Sequence, residues 1–177
     1  MNIVMSYNGV VTMTTKRMGK EITTKYLNSG TNTLFEAYAR ALAGQPINDI
    51  LPTYMDLGIE IDEGGDATVR YQSAIKERIP VVVTYVSPNS LVSGSHGYDY
   101  GVPFTRVEAV LNRNMFSNAN GVNTIKLLGG FKSDYAELAK ITINPDIKPE
   151  ELLSGTQIII VWDLFVKNKS SQQEVVG

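Results

Sequence analysis

Only one segment of this sequence has the period of an amphipathic helix, and this feature most constrains the fold. Thr33 and Glu36 have the spacing of a capping box, whereas Gly44 and Pro46 are typical of the end of a helix. The sequence therefore predicts one helix over about 33–43. The apolar residues that share its face are Leu34, Phe35, Tyr38, Ala41 and Leu42.

The rest of the chain consists of short β-rich runs between turn signals. Asn8-Gly9 predicts a hairpin turn between two such runs, because both residues accept a positive φ. Alternating apolar residues around Trp162, with further apolar residues on the opposite face, predict a central strand whose tryptophan belongs to the core. The segments predicted as strands are Ile22–Tyr26, Tyr54–Ile59, Val69–Gln72, Ile79–Val86, Thr105–Leu111, Ser133–Ile143 and Ile158–Val166, the last with Ile158, Ile160, Trp162, Leu164 and Val166 on one face.

These elements predict a mainly β protein, an antiparallel β-sandwich with one α-helix packed on it or capping it. No regular alternation of strands and helices indicates a parallel sheet. We expect a single sandwich domain over 1–166 and a polar C-terminal tail over 167–177.

The composition argues against several classes of function. The net charge is −2 and the pI is about 5.4, so no global positive field attracts a nucleic acid. The absence of cysteine excludes thiol catalysis and thiolate metal sites. No signal peptide and no apolar run of about eighteen residues is present, so we expect no membrane association.

Reactive groups are sparse. His96 is the only histidine, and Ser93, Ser95 and Asp99 lie near it, but a glycine-rich loop does not promise the rigid convergence that a catalytic triad requires. The acidic loop Asp62–Asp66 could offer oxygen ligands to calcium, although its spacing differs from that of an EF-hand. We predict no catalytic residue, no metal site and no cofactor.

The loop Ser93–Phe104 is the strongest candidate for a binding surface. Tyrosines set among Gly and Ser supply contact area with a polar group at the end. The predicted interaction residues are therefore Tyr98, Tyr100 and Phe104 from this loop, with Leu34, Phe35 and Tyr38 from the helix, which should seal either the core or an interface.

Four segments resemble parts of tailed-bacteriophage virion proteins. LNSGTNTLFEAYARALAG (27–44) and PTYMDLG (52–58) resemble the N-terminal modules of tail-fibre and collar-type proteins, while SDYAELAKITI (133–143) and IKPEELLSGTQIIIVWDLFVKN (147–168) resemble small phage structural proteins. The chain has no fibrous repeat, heptads or collagen-like triplets. The resemblance implies a structural role in the head, neck or tail of a virion assembled in the host cytoplasm.

Three hypotheses follow. The first is a non-enzymatic structural component of a phage particle that binds copies of itself and neighbouring virion proteins. The second is a carbohydrate-binding or receptor-binding sandwich that uses Tyr98, Tyr100 and Asp99. The third is a hydrolase that uses His96.

Overall fold

The computed structural model describes residues 9–65, 69–87, 101–117, 121–131 and 134–166, so the predicted tail 167–177 lies outside it. Its elements in chain order are β1 (Gly9–Arg17), β2 (Lys20–Asn28), α1 (Asn32–Leu42), β3 (Pro52–Asp62), β4 (Val69–Ser73), β5 (Ile79–Pro80), β6 (Val82–Val86), β7 (Phe104–Asn112), β8 (Val122–Phe131), β9 (Asp134–Ile147) and β10 (Gln157–Leu164).

The strands form two antiparallel sheets. Sheet A has the order β2-β1-β10-β7-β6, and sheet B has the order β4-β3-β8-β9, with β5 also paired to β3. One cluster of buried apolar side chains takes residues from both sheets, which places the core between them. The predicted mainly β sandwich with a single helix is confirmed.

β10 lies between β1 and β7 at the centre of sheet A, as its apolar residues on both faces predicted. Trp162 and Ile160 have no exposed surface, and Ile158 and Leu164 are also buried. Val166 lies beyond the end of the strand and is 62% exposed, so the buried face is one residue shorter than predicted.

Among the described residues, the first hairpin turns at Met18-Gly19. The prediction that Gly9 is a turn residue is wrong, and Asn8 lies outside the described residues. Gly9 is a strand residue that pairs with both β2 and β10. Met18 and Gly19 have φ angles of 49° and 79°, which suit a two-residue turn between twisted strands. Methionine is not a typical turn residue, so the sequence did not predict this turn.

The predicted strand Ile79–Val86 is divided between the two sheets. β5 pairs with β3 in sheet B, whereas β6 pairs with β7 in sheet A. Between them the Val81 amide donates to the carbonyl oxygen of Thr53 over 3.1 Å. A continuous apolar run indicates a strand, but it does not indicate that the chain changes sheets within it.

β8 is an inner strand of sheet B that the sequence analysis did not predict, and it lies between β3 and β9. Two glycines near its end weaken the strand pattern. At Gly129 an added Cβ would lie 2.8 Å from the carbonyl oxygen of Ile50, so the chain packs against the bare backbone there. β9 begins at Asp134, contains the rest of the predicted strand Ser133–Ile143 and continues to Ile147, whereas Ser133 lies outside the described residues.

The helix begins at Asn32, close to the predicted start, but its N-cap is Thr31, two residues before the predicted capping residue Thr33. The Thr31 hydroxyl accepts the Leu34 amide over 3.4 Å. Glu36, the predicted partner of Thr33, instead forms an ion pair with Arg40 over 2.7 Å.

The helix ends at the predicted glycine. Gly44 has a φ of 69°, and its amide donates to the carbonyl oxygen of Ala41. The next amide, from Gln45, donates to the carbonyl oxygen of Arg40 over 2.8 Å. These two bonds form a Schellman motif, which satisfies carbonyl groups that the helix itself leaves free.

Candidate interaction surfaces

The three predicted interaction residues on the helix differ in exposure. Leu34 is buried, and Tyr38 packs partly buried against the core. Phe35 is 44% exposed, and Leu42, on the same helix, is 92% exposed. Burial raises the pKa of the Tyr38 hydroxyl to about 12. The helix therefore contributes one side to the core and leaves two large apolar side chains on the surface.

Of the predicted loop residues, only Phe104 is described. Its side chain is 3% exposed and packs with Val10, Val86 and Phe165 on the face of sheet A that points away from sheet B. This position places the Phe104 ring inside the molecule. The other residues singled out in this loop, Ser93, Ser95, His96, Tyr98, Asp99 and Tyr100, lie outside the described residues.

The entry to the helix covers the outer edge of β9. The Thr31 amide donates to the carbonyl oxygen of Leu138 over 3.0 Å, and its hydroxyl lies 2.7 Å and 2.9 Å from the carbonyl oxygens of Glu137 and Leu138. Leu138 is the extra residue of a β-bulge. The Asn28 amide group donates to the next free carbonyl, that of Lys140, over 3.2 Å.

Two further sheet edges carry features that oppose pairing with another chain. β2 has charged residues at Lys20, Glu21 and Lys25. On the β3 side of sheet B, β4 is short and carries Arg70, and β5 has two residues, one of them Pro80. Short strands, charges and proline all make a poor template for an added strand.

The other outer strand of sheet A, β6, has neither charges nor proline, although at five residues it is as short as β4. We call Val82–Val86 the β6 edge; its sequence, VVTYV, has no charge, no proline and no glycine. Val82 is 62% exposed, Val83 46% and Tyr85 72%, so apolar side chains are exposed on both faces of the strand. Among the described residues, β6 has β7 as its only neighbour in the sheet. This is the edge most suited to accept another strand.

A second surface lies on the face of sheet B that points away from the core. Here a cleft of about 530 Å³ is lined by several polar and aromatic residues. We call it the sheet B cleft, and the residues used in the argument are Tyr54, Asp56, Ser73, Arg78 and Tyr135.

Asp56 forms the polar floor of the sheet B cleft. It is 2% exposed, accepts a hydrogen bond from the Ser73 hydroxyl over 2.6 Å, and lies 3.4 Å from Nε of Arg78. A buried carboxylate requires such partners, because an uncompensated charge in this position is costly. The Asp56 side chain therefore holds Arg78 over the cleft.

Aromatic rings form the walls of the sheet B cleft. The Arg78 guanidinium lies 3.6 Å from the centre of the Tyr135 ring, and Tyr54 meets that ring edge to face at 6.1 Å between centres. These contacts order side chains that would otherwise rotate freely. The result is a preformed surface with ring edges and guanidinium donors side by side.

Tyr71 supports the sheet B cleft from the neighbouring strand. Its ring lies over Gly58, where an added Cβ would be 2.7 Å from the hydroxyl oxygen, and the Lys126 ammonium group lies 3.9 Å from the ring centre. The hydroxyl is buried without a hydrogen bond of standard geometry. Burial, and then the charge of Asp56, raises the Tyr71 pKa, so this group is neutral at physiological pH.

The sheet B cleft was not predicted from the sequence. The sequence of β3 did contain a signal for it. Every second residue of this strand faces the core, so the residues between them share the outer face: Tyr54, Asp56, Gly58 and Glu60. What the sequence did not show is that Tyr135 and Arg78, from distant parts of the chain, lie beside them. In chemical terms, rings and paired polar groups can bind a hydroxyl-rich ligand.

The acidic loop contains local contacts. The Asp62 carboxylate accepts the Gly64 amide over 3.0 Å, and Glu63 pairs with Arg70 over 3.3 Å, whereas Asp66 lies outside the described residues. In the part of the chain that the structure describes, no three side chains of the metal-binding types converge. No helix among those residues is long and apolar enough to cross a bilayer.

Comparison of the chain with protein-family models, with curated proteins and with solved structures found no match.

Proposed function

We propose that this chain is a non-enzymatic structural component of a bacteriophage particle, in the tail, neck or a head appendage. It acts through self-association and through binding to neighbouring virion proteins, and it becomes part of a virion assembled in the host cytoplasm. The proposal gives it no nucleic-acid or membrane partner. Its supports are the four sequence segments that resemble phage structural proteins and the character of the β6 edge.

The β6 edge is the observation that carries this proposal. A monomeric sandwich benefits from blocked edges, because an exposed row of backbone donors and acceptors pairs readily with another chain. The other described edges carry charges, proline or a covering segment, while the β6 edge exposes Val82, Val83 and Tyr85. An open apolar strand on an otherwise protected fold favours a protein that adds strands from partners.

Light scattering on the purified chain, together with a search for the chain in particles assembled from the genome that encodes it, tests the proposal. We expect a mass that is a multiple of 19.4 kDa and a fixed copy number per particle. A strict monomer that is also missing from purified particles would refute it.

The sheet B cleft favours a second candidate function, the binding of a carbohydrate. Sugars present apolar C–H faces and hydroxyl pairs, which suit tyrosine rings and a guanidinium group held flat by Tyr135. Asp56 is already satisfied by Ser73 and Arg78, so the free donors belong to Arg78 and the tyrosines. The charged residues that line the cleft are two acids, Asp56 and Glu77, and two bases, Lys76 and Arg78, and this balance of charge suits a neutral ligand.

A glycan array distinguishes sugar binding in the sheet B cleft from sugar binding by Tyr98 and Tyr100. If the sheet B cleft binds the sugar, the Tyr54→Ala/Tyr135→Ala variant loses binding about tenfold or more, because it removes both ring contacts. The Tyr98→Ala/Tyr100→Ala variant then binds normally. Tyr85→Ala, at an exposed tyrosine on β6, is the matched control. Absence of any glycan signal for the unmodified chain would eliminate this candidate.

A further inference from the structure

We propose that the β6 edge pairs with the β6 edge of a second copy of this chain, antiparallel and about a two-fold axis at Thr84. The two copies of sheet A then form one continuous sheet of ten strands, five from each copy. This inference rests on the proposed function, since it names the partner and the register of the self-association.

The sequence of β6 is self-complementary in this register. With Thr84 opposite Thr84 of the partner subunit, Val82 lies opposite the partner's Val86, and Val83 lies opposite the partner's Tyr85. In each pair the two side chains belong to the same face of sheet A in their own copies, because their residue numbers differ by an even number and side chains alternate along a strand. Pairs of β-branched residues, a pair of threonines and pairs of valine with tyrosine are all favourable across antiparallel strands.

Exposure and charge agree with a second copy as the occupant. A two-fold interface brings the residues at the axis near their own symmetry equivalents, so a charge at the axis would repel its copy. No residue of β6 is charged, and Val82, Thr84 and Tyr85 are all exposed. The β2 edge, in contrast, would place Lys20 and Lys25 in such an interface. Sheet A therefore has one edge suited to self-pairing and one edge suited to solvent.

The β9 edge is closed in a different way. Its free carbonyl groups at Glu137, Leu138 and Lys140 already accept hydrogen bonds from Thr31 and Asn28. A partner strand would have to displace these bonds before it could pair. Within the described parts of the chain, no segment would have to be displaced from β6, whose other side is bonded to β7.

Single-cysteine variants test the register, because the native chain has no cysteine and any disulfide must involve the introduced residue. In Thr84→Cys the Cβ atoms of the two introduced cysteines, one in each copy, lie about 5 Å apart across the axis. This distance is near the separation that a disulfide needs. In Val82→Cys, on the same face, the two sites are about 13 Å apart along the strands, since four residues of about 3.3 Å separate them. We expect oxidation to give a covalent dimer for Thr84→Cys and none for Val82→Cys.

A charge variant provides a second measurement that does not depend on disulfide geometry. Tyr85→Lys replaces an exposed side chain, so we expect it to fold, and two-fold symmetry makes each substitution disturb two pairs. Its dimer dissociation constant should rise about tenfold or more, whereas Thr23→Lys on the β2 edge should leave the constant unchanged.

The possible outcomes separate this inference from the proposed function. If the chain self-associates but Thr84→Cys does not cross-link and Tyr85→Lys has no effect, the β6 register is wrong and assembly through another surface remains. Equal cross-linking of both cysteine variants would also overturn the register. A monomer that is missing from particles would overturn both proposals together.

Discussion

Replacement of Asn28 by alanine tests how the two sheets are connected. Asn28 ends β2 in sheet A, and its amide oxygen accepts the indole N–H of Trp162 over 3.3 Å. Its amide nitrogen donates to the carbonyl oxygen of Lys140, on β9 of sheet B, over 3.2 Å. Asn28 is 6% exposed and Trp162 is fully buried. One side chain therefore joins the central strand of one sheet to the edge of the other.

The expected loss of stability follows from these contacts. Asn28→Ala leaves the Trp162 N–H buried without a partner, which costs about 1–3 kcal/mol. Loss of the bond to Lys140 adds about 1 kcal/mol more. We therefore expect the free energy of unfolding to fall by about 2–4 kcal/mol, which corresponds to a melting temperature lower by about 5–15 °C for a chain of this size.

Trp162 is the only tryptophan, so its fluorescence during urea unfolding reports the region directly. The matched control is Lys20→Ala on the same strand, because Lys20 is exposed and lies at the opposite end of β2 from Asn28. We expect the control to lose less than about 1 kcal/mol. If Asn28→Ala is as stable as the control, the Asn28 side chain does not connect the two sheets.

Three further substitutions test other contacts. Tyr38→Phe should be at least as stable as the native chain at neutral pH, because the Tyr38 hydroxyl is buried without a partner. Burial raises the pKa of the Tyr38 hydroxyl to about 12, so its ionisation favours the unfolded state. The free energy of unfolding of the native chain should therefore fall as the pH rises from about 10 to 12, and that of Tyr38→Phe should fall less. The same loss of stability with pH in both proteins would contradict this. Gly58→Ala should cost about 1–3 kcal/mol or more in chemical unfolding, because its Cβ would clash with the backbone carbonyl oxygen of Gln72 as well as with the Tyr71 ring, and a neutral result would show that both the strand and the ring give way. Arg106→Met should cost about 3–5 kcal/mol, because it removes one partner of a buried ion pair that is held by two hydrogen bonds to Asp163, of 2.9 Å and 3.1 Å; Asp163→Leu added to it should restore much of the loss, and a double variant no better than the single one would show that the pair does not account for the loss.

The parts of the fold that the sequence predicted well depend on local pattern. The strand around Trp162 was recognisable because every even position from Ile158 to Val166 is apolar, and the strand over Thr105–Leu111 because polar and apolar residues alternate along it. The end of the helix at Gly44 was also predictable, since a left-handed C-cap depends on one residue.

The parts that it missed depend on contacts between distant residues. Thr31 and Thr33 have the same capping chemistry, and Thr31 is the N-cap in the structure because its backbone and side chain also bind the bulge at Leu138. The strand Ile79–Val86 divides because Val81 bonds to Thr53, more than twenty residues earlier. No local pattern contains either fact.

The candidate sites show the same contrast. The exposed apolar residues of β6 belonged to a strand that the sequence predicted, but only the sheet order shows that this strand is an edge. The sheet B cleft was missed because Tyr54 and Tyr135 are far apart in sequence and become neighbours through β8, the strand that was not predicted.

The position of β6 makes folding and assembly separable in this protein. Val82, Val83 and Tyr85 contribute little to the buried core, which lies between the sheets and centres on β10, two strands away from β6. A charge at Tyr85 should therefore weaken strand pairing between copies while the native core remains intact, because little apolar burial within the monomer depends on that side chain. Substitution of Asn28 has the opposite effect, since it weakens the core and leaves the exposed strand unchanged. If both substitutions reduced stability and association in proportion, the edge would be part of the folding unit and the division of roles proposed here would be wrong.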